Sequence, residues 1–204
     1  ATRSLLNKYQ KLLGQSDSIS PRSIENIFPI QLDTISLKKD GNILLSPISI
    51  HIKQGEKIAI IGESGSGKTT LLNIIHGEET PTSGQISFAG QNLSRQEITS
   101  ISSYILQDSH YFDTLSLEEN ILLGLDKKED RLNHVLKTTG LEHLKNRTLS
   151  NDSLSGGEKQ RLEIARALYH DSQLILADEI KANLDLENSR KISDLLFSLP
   201  QTVI

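Results

Sequence analysis

The strongest constraint on the fold is a glycine-rich segment at 62–69 that reads G-x-x-x-x-G-K-T. It follows a short apolar run, Lys57–Ile61, of the kind that forms a buried parallel strand, and it runs into a helical pattern over 69–76. Glycines between a strand and a helix let the chain turn tightly, so that backbone N–H groups and the positive end of the helix face one anion. The segment therefore predicts a phosphate-binding loop in an α/β fold.

The side chains of this loop have distinct expected roles. Lys68 is expected to reach the β- and γ-phosphates of a nucleotide, and the Thr69 hydroxyl is expected to bind Mg²⁺. The alternative is a Gly/Ser loop with an exposed lysine, which the flanking strand and helix disfavour. The loop alone fits kinases, GTPases and many ATPases equally. The expected nucleotide contacts are Gly62, Glu63, Ser64, Gly65, Ser66, Gly67, Lys68, Thr69 and Thr70.

A β-hairpin and an N-terminal helix are predicted ahead of this loop. Apolar residues alternate over 30–37 and again over 48–52, and turn-forming residues lie between them at 39–42. In 1–13 the apolar residues recur on one face of a helix, whereas 14–22 has the Gly, Ser, Asp and Pro content of a linker. We therefore expect an amphipathic helix and a tether, followed by two antiparallel strands.

Beyond the loop, short strands and helices alternate. Helical periodicity dominates 117–145, with breaks at Gly124 and Gly140. This alternation is typical of an α/β chain. The further strands predicted from apolar runs are Gln85–Phe88, Ser103–Leu106, Leu174–Ala177 and Thr202–Ile204.

The composition removes several functional classes. The 204 residues carry a net charge of −4 with both signs interspersed, which argues against a nucleic-acid-binding surface. There is no cysteine, so disulfides and thiolate metal sites are excluded, and a reducing compartment fits. No apolar run approaches the length of a membrane span and no secretory leader is visible, so any membrane is expected to be crossed by another segment.

A second glycine-containing segment, Leu154–Glu158, reads LSGGE and leads into a helix. The apolar residues Leu162, Ala165 and Leu168 fall on one stripe of that helix. Its N-terminus is either an ordinary serine-capped helix start or a second place where an anion can bind.

Polar residues follow two of the predicted strands. Asp178 and Glu179 come directly after the apolar run 174–177, and Gln107 comes after the run SYIL. One carboxylate can be committed to a metal while its neighbour accepts a proton from water. Taken singly, two adjacent acids often form a solvated turn and a lone glutamine is often a surface residue.

In combination, these motifs resemble the ATP-binding cassette (ABC) ATPases, most closely those of exporters. The resemblance covers 30–204, and the spacing from Leu154 to Asp178 matches that of the family. It implies a P-loop NTPase (RecA-like) core with an antiparallel β subdomain and an inserted α-helical subdomain. It also implies ATP and Mg²⁺ as the bound groups.

The same resemblance implies roles for the remaining residues. Asp178 corresponds to the Walker B carboxylate that holds Mg²⁺ through water, and Glu179 to the general base. Gln107 corresponds to the Q-loop glutamine that contacts the metal and the attacking water, so Thr69, Gln107 and Asp178 form the expected metal set. The expected D-loop residues are Leu184 and Asp185. The segment expected to bind the ATP of a partner subunit is Leu154, Ser155, Gly156, Gly157 and Glu158.

The chain departs from the family pattern at three places. Ile180-Lys181-Ala182-Asn183 stands where the family usually has Pro-Thr-Ser-Ala. No aromatic residue lies near Leu37 and Lys38 to stack on adenine, so the adenine contact is unassigned. The family's switch histidine follows the strand at 202–204, and none of the six histidines occupies that position.

The expected organisation is an N-terminal helix and linker at 1–25 and an ABC ATPase domain at 26–204. Within the latter, 26–107 and 161–204 form the β subdomain and ATP-binding core, and 108–160 forms the helical subdomain. The expected function is ATP hydrolysis that powers export through a permease domain in the same polypeptide, at the cytoplasmic face of the cell membrane. A second ABC domain is the expected partner, and nucleic acid is not.

Three alternatives remain open. A separately encoded ATPase subunit of an importer or lipoprotein-release system shares all these motifs. A soluble ABC protein acting on DNA or the ribosome is disfavoured by the acidic charge balance and the single cassette. A degenerate cassette that only binds ATP is disfavoured by the presence of Glu179.

Overall fold

The computed structural model describes residues 24–106, 111–149, 154–180 and 184–204. These residues divide into two compact units. A core unit contains 24–106 and 171–204, and a helical unit contains 111–170, each with the gaps just given. The predicted N-terminal helix and linker, and Gln107, lie outside the described residues.

The core unit contains a three-stranded antiparallel sheet. Strands β1 (Ile30–Lys39), β2 (Asn42–Ile52) and β3 (Ser83–Phe88) lie in the order β2-β1-β3. The predicted hairpin is confirmed, because β1 pairs with β2 from Lys39 opposite Asn42 to Ile30 opposite Ile52. Gly41 takes a φ of +79° in the turn, a conformation that glycine adopts without steric cost.

A parallel sheet forms the other half of this unit. Strands β4 (Ser102–Ile105), β5 (Leu174–Ala177) and β6 (Thr202–Val203) lie in the order β4-β5-β6. The predicted strands at these places are confirmed within one or two residues of their ends. The core packs Leu71, Leu72, Ile74, Leu174 and Leu176 together with apolar residues of β1 and β2. The helices of the unit are α1 (Lys68–Ile75), α2 (Arg95–Ile101) and α6 (Leu186–Ser198).

The apolar run Lys57–Ile61 does not form the buried strand that was predicted. Only Lys57 bridges to the parallel sheet, opposite Val203, and the Ile58 N–H donates to Val203 O at 2.8 Å. Ile61 is 93% exposed. Ile58 and Ile60 nevertheless pack against the core of the unit, so the run is partly buried without being a strand.

The helical unit contains α3 (Leu117–Leu122), α4 (Glu129–Thr139), a 3-10 turn (Glu142–Leu144) and α5 (Gly156–Tyr169). Their apolar faces enclose a second core in which Leu117, Leu132, Leu136 and Leu162 are buried. Gly140 ends α4 with a φ of +68°, as its sequence position predicts. Helix α5 continues without interruption through position 160, the predicted boundary between the helical subdomain and the ATP-binding core.

No helix among the described residues is both long enough and apolar enough to cross a membrane.

Candidate functional site

The start of α1 carries no side-chain cap. Gly67 is its N-cap and offers no side chain, whereas Ser155 caps α5 and Asp185 caps α6 through side-chain oxygens. The first N–H groups of a helix have no acceptor within the helix. The first turn of α1 therefore presents N–H groups and the positive dipole end to an external anion.

Two glycines of the 62–69 loop lie in close contacts, and the one at Gly67 is with a backbone atom. A Cβ at Gly62 would lie 2.5 Å from Ser66 Oγ, and a Cβ at Gly67 would lie 2.6 Å from Leu44 O. Gly67 also has a φ of +93°, which side chains strongly disfavour. The loop is thus wound closely on itself and against β2, as a phosphate cradle requires.

Lys68 folds back over this loop. Its Nζ donates to Gly62 O at 3.0 Å and to Glu63 O at 2.9 Å. These contacts hold the ammonium group at the mouth of the loop, the position that the motif assigns to it.

The two predicted acids follow β5 directly. The Asp178 N–H donates to Ile105 O at 3.0 Å, which continues the pairing between β5 and β4 by one residue. The Tyr104 hydroxyl donates to Asp178 Oδ2 at 3.3 Å. Burial raises the pKa of Tyr104, and the adjacent Asp178 carboxylate raises it further, so the phenol remains a proton donor.

Glu179 is exposed and has a φ of +48°. Residues other than glycine seldom take this conformation, and such residues cluster at functional sites.

Lys68, Asp178 and Glu179 line one cavity in the core unit. Its volume is about 700 Å³, and its walls include Ile58–Ile61 and Ala177–Ile180. Clefts of a few hundred to about 1,000 Å³ are the usual size of small-molecule sites. Sequence reasoning named these three polar residues separately, and the structure brings them together.

Two members of the expected metal set, Thr69 and Asp178, lie within the described residues. Thr69 lies in the first turn of α1 and Asp178 at the end of β5, and both offer the oxygen donors that Mg²⁺ prefers. Mg²⁺ keeps several waters and needs only one or two protein ligands besides phosphate. Among the described residues, no group of three or more histidine, aspartate and glutamate side chains is placed to hold a metal ion.

The Leu154–Glu158 segment lies in the helical unit and forms a capping box. The Ser155 Oγ accepts from Glu158 N–H at 3.3 Å, and Glu158 Oε2 accepts from Ser155 N–H at 2.8 Å. His143 Nε2 lies 3.0 Å from the other carboxylate oxygen. Burial raises the pKa of Glu158, but the hydrogen bonds from Ser155 and the contact with His143 outweigh it, and the net pKa is lowered.

The expected D-loop residues lie at the start of α6. Asp185 caps that helix by accepting from the Asn188 N–H at 2.9 Å, and these bonds lower the pKa of Asp185. Leu184 precedes it, and Ile180 is buried. Positions 181–183 lie outside the described residues.

Comparison with known proteins identifies the family to which the chain belongs. A family model for ABC transporters matches residues 45–182, which is more than half of the chain. The chain belongs to the ABC transporter family. The match contains the loop at 62–69, the Leu154–Glu158 segment and the acids at 178–179, so the ABC resemblance inferred from the sequence is confirmed.

Among its relatives is the ABC transporter ATP-binding protein YxdL of Bacillus subtilis, which is 39% identical over 169 residues. The aligned region covers 76% of this chain and 65% of YxdL. Among solved structures, CbiO1 of Clostridium perfringens, described as part of the ABC transporter complex CbiONQ, is 29% identical with a TM-score of 0.77. That likeness covers 88% of this chain and 77% of CbiO1.

A bacterial Atm1-family ABC exporter with ATP bound is 24% identical, with a TM-score of 0.72 over 85% of this chain and 34% of the exporter. At this identity the likeness concerns the fold. Together with CbiO1 it confirms the predicted P-loop NTPase core of the ABC cassette.

Two contacts of the ABC cassette were missed by sequence reasoning. The sequence predicts Tyr104 only as part of the strand Ser103–Leu106, and it predicts no role for His143. The link from Tyr104 to Asp178 depends on the register of β4 against β5, where Tyr104 lies opposite Leu176. Residues two apart in a strand share a face, so a known register would have revealed it.

Proposed function

We propose that the cassette binds ATP with Mg²⁺ in the 700 Å³ cavity and hydrolyses it to drive transport through a membrane permease. The observation that carries this proposal is the convergence of Lys68, Asp178 and Glu179 on one cavity beside the open N-terminus of α1. The site contacts are proposed to be those of the 62–70 segment, with Gln107 completing the metal set.

The chemistry assigned to each group follows from its position. The loop N–H groups and the Lys68 ammonium stabilise negative charge on the transferred phosphoryl group. Thr69 and Asp178 hold Mg²⁺, which neutralises phosphate charge when it is bound. Glu179, exposed at the cavity wall, accepts a proton from the attacking water.

A second cassette is proposed to complete the site. In this arrangement the Ser155–Gly157 segment of one copy faces the ATP held by the 62–69 loop of the other. The start of α5 supports this role, because Gly156 and Gly157 place no bulky side chain over its first N–H groups. Asp185 and Leu184 are proposed to lie near the contact between the copies.

The permease is proposed to be a separate subunit at the membrane, with the cassette on its cytoplasmic face. YxdL is named as an ATP-binding protein and CbiO1 as one part of a complex, which supports a separate subunit over fusion. The second candidate is a cassette fused to an exporter permease. It is favoured by the segment 111–121, which resembles the exporter pattern in Tyr111-Phe112-Asp113-Thr114-Leu115-Ser116 and Glu119-Asn120-Ile121. Isolation of the native complex tests this choice: a permease on a different polypeptide supports the first candidate.

The central experiment compares Lys68→Ala and Glu179→Gln in the intact protein. Lys68→Ala is expected to abolish ATP binding. Glu179→Gln is expected to bind ATP, lower hydrolysis by about 100-fold or more because the general base is lost, and accumulate as a dimer on size-exclusion chromatography. Glu187→Gln, an exposed glutamate paired with Lys191 at 2.6 Å on α6, is the matched control. Hydrolysis by Glu179→Gln at the parent rate would show that Glu179 is not the base.

A further inference from the structure

The Tyr104 hydroxyl is the one side chain that the structure places in hydrogen-bond contact with Asp178 among the described residues. We propose that Tyr104 is a positioning residue that orients the Asp178 carboxylate for Mg²⁺. This inference rests on the proposed function, because it concerns the metal that accompanies ATP.

The sheet register explains why the hydroxyl reaches the carboxylate. Tyr104 pairs with Leu176 across β4 and β5, and Asp178 is two residues further along the same side of the chain. Tyr104 and Asp178 therefore project from the same face of the sheet, and the long phenol covers the distance of two residues. A leucine or isoleucine at 104 would reach no polar atom there.

The Tyr104 ring packs against neighbouring side chains that hold it in place. The His76 ring packs against it edge to face, with centroids 5.4 Å apart. His76 follows α1, and its Nδ1 lies 3.1 Å from Ser102 Oγ, which in turn donates to Ile98 O at 2.7 Å. The Tyr104 ring also packs against the core of the unit. A ring fixed in this way presents its hydroxyl at a defined point.

Two contacts fix the position of Asp178. Its backbone is fixed by the N–H bond to Ile105 O at 3.0 Å, and its Oδ2 receives the Tyr104 proton at 3.3 Å. The hydrogen bond to Oδ2 restricts rotation of the carboxylate and so fixes where its oxygens lie for a metal or its bound water. Hydrogen bonds to ligating carboxylates generally orient them, and removing such partners typically weakens metal binding by about 10- to 100-fold.

The test is Tyr104→Phe, which deletes the hydroxyl and keeps the ring against His76. ATP binding is titrated with a fluorescent ATP analogue in EDTA and across a range of Mg²⁺ concentrations. The half-saturating Mg²⁺ concentration is expected to rise about 10-fold, while the metal-free affinity stays within about twofold. Mn²⁺ binding to the nucleotide-loaded protein, followed by electron paramagnetic resonance, is expected to weaken by the same factor.

Tyr169→Phe is the matched control. Its hydroxyl donates to Asp126 O at 2.7 Å in the helical unit, so the same deletion there is expected to leave the Mg²⁺ requirement unchanged. A purely structural role for Tyr104 would weaken metal-free and metal-dependent binding together. If the phenylalanine variant does not fold, Tyr104→Met, which also lacks the hydroxyl, takes the same titration.

The outcomes separate this inference from the proposed function. Mg²⁺-dependent ATP binding by the parent protein with an unchanged Mg²⁺ requirement in Tyr104→Phe overturns the role of Tyr104 alone. Failure of the parent protein to bind ATP overturns the proposed function, and the role of Tyr104 with it. A selective rise in the Mg²⁺ requirement, absent from Tyr169→Phe, supports both.

Discussion

Replacing Gly67 with alanine should destabilise the core unit in two ways, through an unfavourable backbone conformation and through a steric contact of the new Cβ. At a φ of +93° an L-residue costs about 1–2 kcal/mol. The new Cβ would also lie 2.6 Å from Leu44 O and 3.2 Å from Leu45 Cδ1. Relieving such overpacking typically costs about 1–3 kcal/mol, so the expected total is about 2–5 kcal/mol.

Gly41→Ala isolates the part of this cost that comes from the contact. Gly41 has a φ of +79°, but a Cβ there would meet no atom within 4 Å. This variant is expected to lose only about 1–2 kcal/mol. Urea unfolding of both variants of the intact protein, followed by circular dichroism, gives the difference, expected to be about 1–3 kcal/mol. Equal destabilisation by the two substitutions would refute the close packing of the loop against β2.

Two further predictions concern the buried Asn120 and the half-buried His76. Asn120→Ala should destabilise the helical unit by about 2–3 kcal/mol in urea unfolding. Asn120 is fully buried, and its side chain forms hydrogen bonds with both the N–H and the carbonyl of Phe112. An effect below about 0.5 kcal/mol would contradict this role. Burial lowers the pKa of His76 below its usual 6.5, so the unfolded chain takes up a proton at a higher pH than the folded chain does. Stability should therefore fall as the pH drops through about 6.5, and His76→Gln should reduce that fall between pH 7.5 and 5.5. An unchanged pH dependence in His76→Gln would assign the acid sensitivity to other groups. One such group is His170, because burial also lowers its pKa.

Much of the ABC fold was predictable because its signals are local. The hairpin, the 62–69 loop and the start of α5 depend on alternation, glycines and capping residues that neighbour one another in sequence. The strand predicted at Lys57–Ile61 was wrong for the opposite reason. Apolar character at Ile58 and Ile60 favours burial, and both pack against the core, but a strand also needs backbone pairing, and in this run only Lys57 bridges to the parallel sheet.

The sequence by itself determined which residue types this cassette carries and at what spacing: a glycine-rich loop with a lysine, two acids after an apolar strand, and a serine-capped glycine start to α5. These depend on residue types at short spacing, which the chain order fixes. Only the tertiary structure decided that Lys68, Asp178 and Glu179 share one cavity, and that Tyr104 reaches Asp178. Those contacts depend on strand register and helix packing between segments more than 70 residues apart, which no local pattern encodes.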